Sequence, residues 1–203
     1  MSSPIHPGPV AWSGENPGIY LKERDDGPWT GLMCFFRIVY SPHGMGHGVV
    51  VLDDPNREEG QPAVDNFCIS DNEPLARYLV AEFFSKFASF RVSPGVKALT
   101  YLPLTEVRRE GDTRSTYTEI VRSSELEVVC MWKGLSPAYA VDMPTENGPT
   151  KQHQMYSVFL DAADAWVTIN GRPLKGRVTQ RDFAGTRKPT AFLAFSESWM
   201  KTA

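Results

Sequence analysis

The stretch QMYSVFLDAADAWVTINGRPLKG, residues 154–176, contains the strongest local structural signal in the chain. Runs rich in β-branched and aromatic residues lead up to the dipeptide Asn170-Gly171. A two-residue type I′ hairpin turn needs positive φ at both central residues, and Asn followed by Gly adopts this conformation readily. The stretch therefore predicts β-strands joined by a tight hairpin turn.

Strand-like runs of similar composition occur along most of the chain, with turn residues at short spacing between them. They are 32–41, 49–54, 64–70, 115–122, 126–133, 139–143, 154–160, 165–169 and 190–199. About eight to ten strands with one helix predict a mainly β protein, either an antiparallel barrel or a sandwich. We favour a barrel, because closure removes exposed strand edges and a barrel of this size can hold one small ligand.

One amphipathic α-helix is predicted over about residues 72–91, because apolar side chains recur there at steps of three and four residues. Asp71 and Asn72 are good N-caps, and Pro74 suits the first turn. The apolar stripe consists of Leu75, Leu79, Val80, Phe83, Phe84, Phe87 and Phe90. So wide an aromatic stripe predicts that the helix packs against the barrel.

The chain has 203 residues, a length that favours a single domain, 1–203, with a core that needs no metal or disulfide. Residues 1–31 are rich in Pro and Gly, which disfavour long regular elements. Trp12, Tyr20 and Trp29 are interspersed there. This segment is therefore expected to wrap over the core.

The composition excludes several kinds of partner. A net charge of -3 and a pI near 5.8 give no attraction to phosphate backbones, so no nucleic acid is expected. Cys34, Cys68 and Cys130 are odd in number and widely spaced, which fits neither disulfides nor a zinc site and favours a reducing compartment. The N-terminus does not resemble a signal peptide, and no run approaches the roughly 18 apolar residues that span a bilayer. We expect a soluble, cytoplasmic protein without a membrane partner; its oligomeric state stays open, a homodimer included.

No common cofactor or catalytic motif occurs in the sequence. A Walker-type loop, a GxSxG elbow, a CxxC pair, a dinucleotide fingerprint and an HExxH motif are all missing. The sequence therefore predicts no cofactor and disfavours nucleotide-dependent enzymes, serine hydrolases and zinc proteases.

His43 and His47 flank Gly44-Met45-Gly46 in a loop between two predicted strands. Two imidazoles there suit acid–base chemistry near a barrel mouth, or they are simply polar surface residues. A metal would need a third ligand, for which only His153, Asp53 or Asp54 suggests itself, so no metal is predicted.

Glu197 is the third catalytic candidate. Side chains alternate along a strand, so Leu193, Phe195, Glu197 and Trp199 are expected to share one face. A carboxyl on such an aromatic face would be desolvated, which raises its pKa and makes it a general acid or base. The alternatives are a solvated strand end or an ion pair with an arginine such as Arg37.

Five further side chains are candidate substrate-binding groups, on predicted strands or in the loop before the last strand. Aromatic rings suit an apolar ligand, and an arginine suits an anionic group. The candidates are Tyr117, Glu119, Trp132, Tyr156 and Arg181. The alternative without a binding role is that most of these rings belong to the hydrophobic core and that the loop containing Arg181 is a solvated connection.

The C-terminal stretch QMYSVFLDAADAWVTINGRPLKG followed by FLAFSESW resembles the last strands of lipocalin-like proteins of the carotenoid-hydratase and AttH type. The resemblance covers about a quarter of the chain and rests on the Asn-Gly hairpin and the terminal aromatic strand. It implies a calycin-class β-barrel, and some members of that class add water to, or remove it from, apolar ligands. The resemblance assigns no catalytic residue.

Three functions remain open. The first is a cofactor-independent lyase, hydratase or isomerase acting on a small apolar or aromatic molecule in a barrel cavity. In that case His43 or His47 and Glu197 would be the acid–base groups, and Tyr117 or Tyr156 would orient the substrate. The second is a non-catalytic carrier or sensor of a similar ligand, and the third is a structural or subunit-interface protein.

Overall fold

The computed structural model describes residues 8–57 and 66–202. Strands make up most of the regular structure in these ranges, which confirms the prediction of a mainly β protein. The strands are β1 Val10–Glu15, β2 Gly18–Lys22, β3 Gly31–Tyr40, β4 Gly46–Leu52, β5 Asn66–Ser70, β6 Thr100–Pro103, β7 Glu106–Gly111, β8 Thr116–Arg122, β9 Glu127–Leu135, β10 Tyr139–Met143, β11 His153–Ile169, β12 Arg172–Pro173, β13 Arg177–Val178, β14 Gln180–Phe183, β15 Thr186–Pro189 and β16 Ala191–Lys201.

The helical segment begins where the sequence predicts. The side-chain oxygen of Asn72 accepts a hydrogen bond from the backbone N–H of Leu75 at 3.1 Å, which is the expected cap. In the described ranges, no helix is long and apolar enough to cross a membrane. The helical elements are α1 Glu73–Glu82, a 3₁₀ turn Phe84–Lys86, α2 Ala88–Arg91 and a second 3₁₀ turn Pro94–Lys97.

The prediction of one continuous helix over residues 72–91 is wrong beyond Glu82. Phe83 leaves the helical conformation, with φ −126° and ψ −64°. The adjacent rings of Phe83 and Phe84 have different partners, since Phe83 packs on Trp12 and Phe84 on Phe36. Aromatic residues have only modest helix propensity, so these tertiary contacts decide the backbone.

The strands β1 to β13 and β16 form one 14-stranded sheet in the order β6-β5-β4-β3-β1-β16-β11-β9-β8-β7, with β2, β10, β12 and β13 paired beside this path. β14 and β15 form a separate hairpin. Among the described pairs only β5 and β6 run parallel, because the helical segment between them carries the chain back before β6 begins.

The two outermost strands of this order, β6 and β7, are consecutive in the chain. Leu104 and Thr105 connect them, and both continue the pairing. The N–H of Leu104 donates to the carbonyl of Ser70 in β5, and the N–H of Thr105 donates to that of Arg122 in β8. One extended stretch, residues 100–111, therefore pairs with β5 at its start and with β8 at its end.

Side chains alternate across the sheet and divide into two clusters. On β3, Met33 and Phe35 belong to one cluster, and Cys34 and Phe36 to the other. The strand-enclosed core contains Phe35, Val49, Tyr117, Trp132, Val167 and Leu193. The helix-covered core contains Trp12, Phe36, Leu79, Phe83, Phe159 and Phe192. Strands β3, β4, β8 and β9 all contribute side chains to the strand-enclosed core, so the sheet curves around this core.

The Pro/Gly-rich N-terminal segment is predicted from the sequence to wrap over the core, but much of its described part forms strands of the sheet. Residues 10–22 lie inside the sheet, as β1 and β2 between β3 and β16. Pro17 has no N–H and separates the two strands. Asn16 bridges this break by donating from its side chain to the carbonyl of Phe35 at 2.9 Å. Residues 1–7 of the predicted wrap lie outside the described residues.

The hairpin predicted at Asn170-Gly171 is confirmed. Both residues have positive φ, 49° and 79°, and they connect β11 to β12. The Asn170 side chain also accepts from the N–H of Glu127 at 2.7 Å, which ties the turn to β9.

Gly171→Ala is expected to lower the free energy of unfolding by about 1 kcal/mol. A methyl group at this position meets nothing within 4 Å, so the cost is that of holding alanine at positive φ and not of a clash. Urea unfolding measures this loss of stability. Gly48→Ala is the comparison variant, because its methyl group would clash with the carbonyl oxygen of Ile69 at 2.4 Å. Equal losses in the two variants would contradict this account.

Candidate functional site

A pocket of about 530 Å³ opens between the helical segment and the face of the sheet that carries the helix-covered core. Aromatic and thioether side chains make up most of its apolar wall. The aromatic and thioether residues of the lining are Tyr20, Trp29, Phe87, Met143, Met155, Phe159, Phe183, Phe192 and Trp199. The polar lining includes Asn16, Arg181 and Glu197.

A β-bulge in β16 turns Glu197 into this pocket. Tyr156 of β11 pairs with Ser198, whereas Val158 pairs with Phe195, so β16 has one residue more than β11 between these pairs. Ser196 has a φ of 50°, the left-handed conformation typical of such an insertion.

The bulge corrects the face predicted for Glu197. Leu193 and Phe195 pack in the strand-enclosed core, as simple alternation requires. Beyond the extra residue, Glu197 and Trp199 lie on the opposite side, with Phe192 in the pocket wall. The carboxyl of Glu197 is buried among aromatic side chains, as predicted. It lies, however, on the pocket side of the sheet and not on the side of Leu193 and Phe195.

Glu197 is 3% exposed and its side chain pairs with no arginine or lysine in the described ranges. Trp199 donates from its indole Nε1 to Oε1 of Glu197 at 2.6 Å. Burial raises the pKa of Glu197 to about 7, and hydrogen bonding from Trp199 and Ser157 only partly opposes this. The carboxyl is therefore poised between its neutral and charged forms near neutral pH.

Arg181 extends into the same pocket from β14. Its guanidinium lies 4.3 Å from the ring centroid of Phe192, 4.8 Å from Phe183 and 5.6 Å from Tyr20. Its Nε is buried and has no hydrogen-bond partner in the described part of the chain. The aromatic faces partly compensate its charge through cation–π attraction.

Tyr20 and Cys34 contribute a neutral polar pair to this region. The Tyr20 hydroxyl lies 3.4 Å from Sγ of Cys34. Burial raises the pKa of Tyr20 well above its usual value and that of Cys34 to about 12, so both remain protonated at neutral pH. At neutral pH Cys34 is therefore present as the thiol and not as the more reactive thiolate.

The predicted histidines lie elsewhere. His47 pairs through Nδ1 with Asp71 at 2.8 Å, and both side chains are partly exposed. The ring of His43 packs on Tyr78 at 4.5 Å. Neither lines the pocket, and no group of three potential metal ligands occurs in ranges 8–57 and 66–202.

Four of the five predicted substrate-binding residues are also outside the pocket. Tyr117 and Trp132 are buried in the strand-enclosed core, 5.9 Å apart. Glu119 is fully buried, where it accepts from the Tyr117 hydroxyl at 2.8 Å and pairs with Arg37 and Arg109. Tyr156 is 42% exposed on the surface of β11.

The structure therefore brings together two of the predicted site residues, Glu197 and Arg181. Pocket residues that sequence reasoning did not assign include Tyr20 and Trp29, which stand in the segment predicted to wrap. Their aromatic character in a Pro/Gly-rich context is a signal of burial, but it does not distinguish a pocket wall from core.

No protein-family model matches the chain, and no curated protein or solved structure is significantly similar to it.

Proposed function

We propose that the protein binds a small, largely apolar or aromatic molecule in this pocket and that Glu197 exchanges a proton with it, as a cofactor-independent lyase, hydratase or isomerase requires. The observation that supports the proposal is a carboxyl group that is buried, has no basic partner among residues 8–57 and 66–202, and lies in the wall of an aromatic pocket. A pocket of about 530 Å³ is within the range typical for small-molecule sites.

The chemistry follows from the state of the carboxyl. A general acid or base is most effective when its pKa is close to the working pH, and the pKa of Glu197 is raised to about 7. Lyases, hydratases and isomerases of this kind need a proton donor and acceptor and no electron carrier. The Trp199 indole N–H holds the carboxyl in place at 2.6 Å, which keeps the reacting oxygen oriented.

A carrier or sensor is the second candidate. It is favoured by the lining itself, in which Glu197 is the one buried carboxyl and most of the apolar groups are aromatic rings or thioethers. Such a surface provides affinity for an apolar ligand without any reaction.

We also infer that the sheet closes into a barrel of the calycin type. The supporting feature is the stretch 100–111, which pairs with β5 and with β8 and so links the two ends of the strand order. In this arrangement the barrel interior is the strand-enclosed core, filled by side chains such as Phe35 and Trp132. The ligand site would then lie outside the barrel, under the helical segment, and not inside it as in lipocalins.

Binding is tested with the neutral fluorophore N-phenyl-1-naphthylamine, which becomes bright in apolar surroundings. Ala88 lines the pocket and is exposed, so Ala88→Trp narrows the site without disturbing the core. We expect the affinity to fall at least about tenfold, which corresponds to about 1.4 kcal/mol. Ala81→Trp is the matched control, since Ala81 is an exposed helix residue outside the lining, and its affinity should not change. No binding to the wild-type protein would contradict the proposal.

Catalysis is tested with Glu197→Gln, which keeps the shape of the side chain and removes proton transfer. With a substrate found by screening apolar and aromatic compounds, kcat should fall at least about tenfold, or about 1.4 kcal/mol in barrier height. Glu82→Gln, on an exposed carboxyl of α1, should leave kcat unchanged. Unchanged turnover in Glu197→Gln would exclude Glu197 as the acid–base group.

A further inference from the structure

We infer that the ligand of this pocket carries a carboxylate and that Arg181 anchors it. The inference rests on the proposed small-molecule site and specifies the chemical class of its ligand. It begins from the guanidinium of Arg181. Its Nε is buried and finds no hydrogen-bond partner among the described residues, while its faces contact aromatic rings.

Arg181 contrasts with two arginines of the sheet, Arg37 and Arg109, which both have carboxylate partners. Arg37, a partly buried arginine of β3, pairs with both Glu15 and Glu119. Arg109 pairs with the same two carboxylates. Within the described ranges Arg181 makes no ion pair and no side-chain hydrogen bond at all.

Two nearby carboxylates, those of Asp161 and Asp182, are engaged by other groups. Glu197, in the same pocket, accepts from the Trp199 indole and makes no ion pair with Arg181. Asp161 accepts from Nζ of Lys188 at 3.0 Å and from the Tyr139 hydroxyl at 2.9 Å. Asp182 is exposed and accepts from the N–H of Gly185 at 3.3 Å. Neither neutralises Arg181 through a direct contact.

A buried charge without a partner destabilises a protein by several kcal/mol, and a guanidinium stays charged at neutral pH. A carboxylate from the ligand supplies what is missing, because its two oxygens match the parallel N–H groups of arginine. The Phe192 ring, 4.3 Å from the guanidinium, holds the fork in one plane while the ligand binds.

The mouth of the pocket favours the same ligand charge. Lys86, Arg91 and Lys151 line it and are exposed, against one exposed acid, Asp182. An excess of positive charge at the entrance attracts anions and raises their local concentration. The apolar walls then select those anions that carry an aromatic or aliphatic body.

The test compares 2-naphthylacetate with 2-naphthylacetamide, which has nearly the same shape without the charge. A charge-assisted hydrogen bond contributes about 1.5–3 kcal/mol, so titration calorimetry should show the acid binding at least about tenfold tighter than the amide in the wild-type protein. Arg181→Met should abolish this preference while the amide affinity stays within about twofold. Arg91→Met removes a charge at the exposed mouth of the pocket. It should reduce the affinity for 2-naphthylacetate only about twofold, and this reduction should be smaller at high salt.

Stability provides a second measurement. Arg181→Met removes a charge whose buried Nε has no partner in the described ranges, so the ligand-free variant should have a higher Tm than the wild-type protein. Equal affinity of the wild-type protein for acid and amide overturns the inference, as does an unchanged acid preference in Arg181→Met. Either result leaves the proposed site intact if N-phenyl-1-naphthylamine still binds, whereas failure of all three compounds to bind contradicts the proposed function itself.

Discussion

Phe83→Ala is expected to lower the free energy of unfolding by about 3–5 kcal/mol, the range for removing a fully buried phenylalanine ring. Phe83 is 0% exposed and is at the centre of the helix-covered core. Its ring centroid lies 5.7 Å from Trp12, 5.3 Å from Trp199 and 4.9 Å from His153. Alanine leaves a cavity that these rigid rings cannot fill, because none of them can move without losing its own contacts.

Phe87→Ala is the matched comparison four residues later. Phe87 stacks on Trp199 at 5.8 Å, but one side of its ring faces the pocket and it is only partly buried. Its removal should cost about 1–2 kcal/mol and weaken the binding of N-phenyl-1-naphthylamine. Urea unfolding and fluorescence titration measure the two effects. If Phe83→Ala instead impaired binding at unchanged stability, Phe83 would be a ligand wall and not core.

Glu197→Gln is expected to become more stable than the wild-type protein as the pH rises, by about 3 kcal/mol above pH 7. Burial raises the pKa of Glu197 in the folded protein from its ordinary value of 4.5 to about 7. Below about pH 4.5 the carboxyl is protonated in both states and contributes no pH dependence. Between about pH 4.5 and 7 the unfolded chain releases the proton while the folded protein retains it, so the wild-type folded state loses stability.

Urea unfolding of both proteins from about pH 4.5 to 8 checks this prediction. Other titrating groups act equally in both proteins, so the difference between them isolates Glu197. The difference should increase up to about pH 7 and be constant above it. Glu106→Gln, on an exposed carboxyl paired with Arg122, is the control and should show no comparable change. A difference that is independent of pH would mean that Glu197 titrates as an ordinary exposed carboxyl.

The features of the fold that could be predicted are those that depend on residues close together in the sequence. Asn170-Gly171 encodes its own turn, since few other residue pairs accept positive φ twice. Asn72 encodes the start of α1 through its side chain. The end of α1 could not be predicted, because the apolar spacing continues through Phe90 and only tertiary packing of Phe83 and Phe84 interrupts it.

For the candidate site, the burial of Glu197 was predictable and its direction was not. The aromatic neighbours Phe195 and Trp199 indicate a desolvated carboxyl in either orientation. The direction depends on Ser196, a residue without any special preference for positive φ, so the bulge leaves no trace in the sequence. Arg181 stands among polar and turn residues that are typical of an exposed loop. Its burial depends on contact with Phe192, and side-chain alternation along the strands does not predict that these two residues are neighbours.

The central position of β16 has a consequence for the order of folding. This last strand lies between β1 and β11, and its contacts with β1 join residues very far apart in sequence, such as Ser13 and Ser198, 185 residues apart. A topology dominated by such non-local contacts has a high contact order and folds slowly. Until β16 has been synthesised, β1 and β11 present unpaired backbone groups that can pair with other chains. The nascent protein is thus most prone to aggregation shortly before its synthesis reaches β16, and truncation anywhere before Ala191 should leave it insoluble.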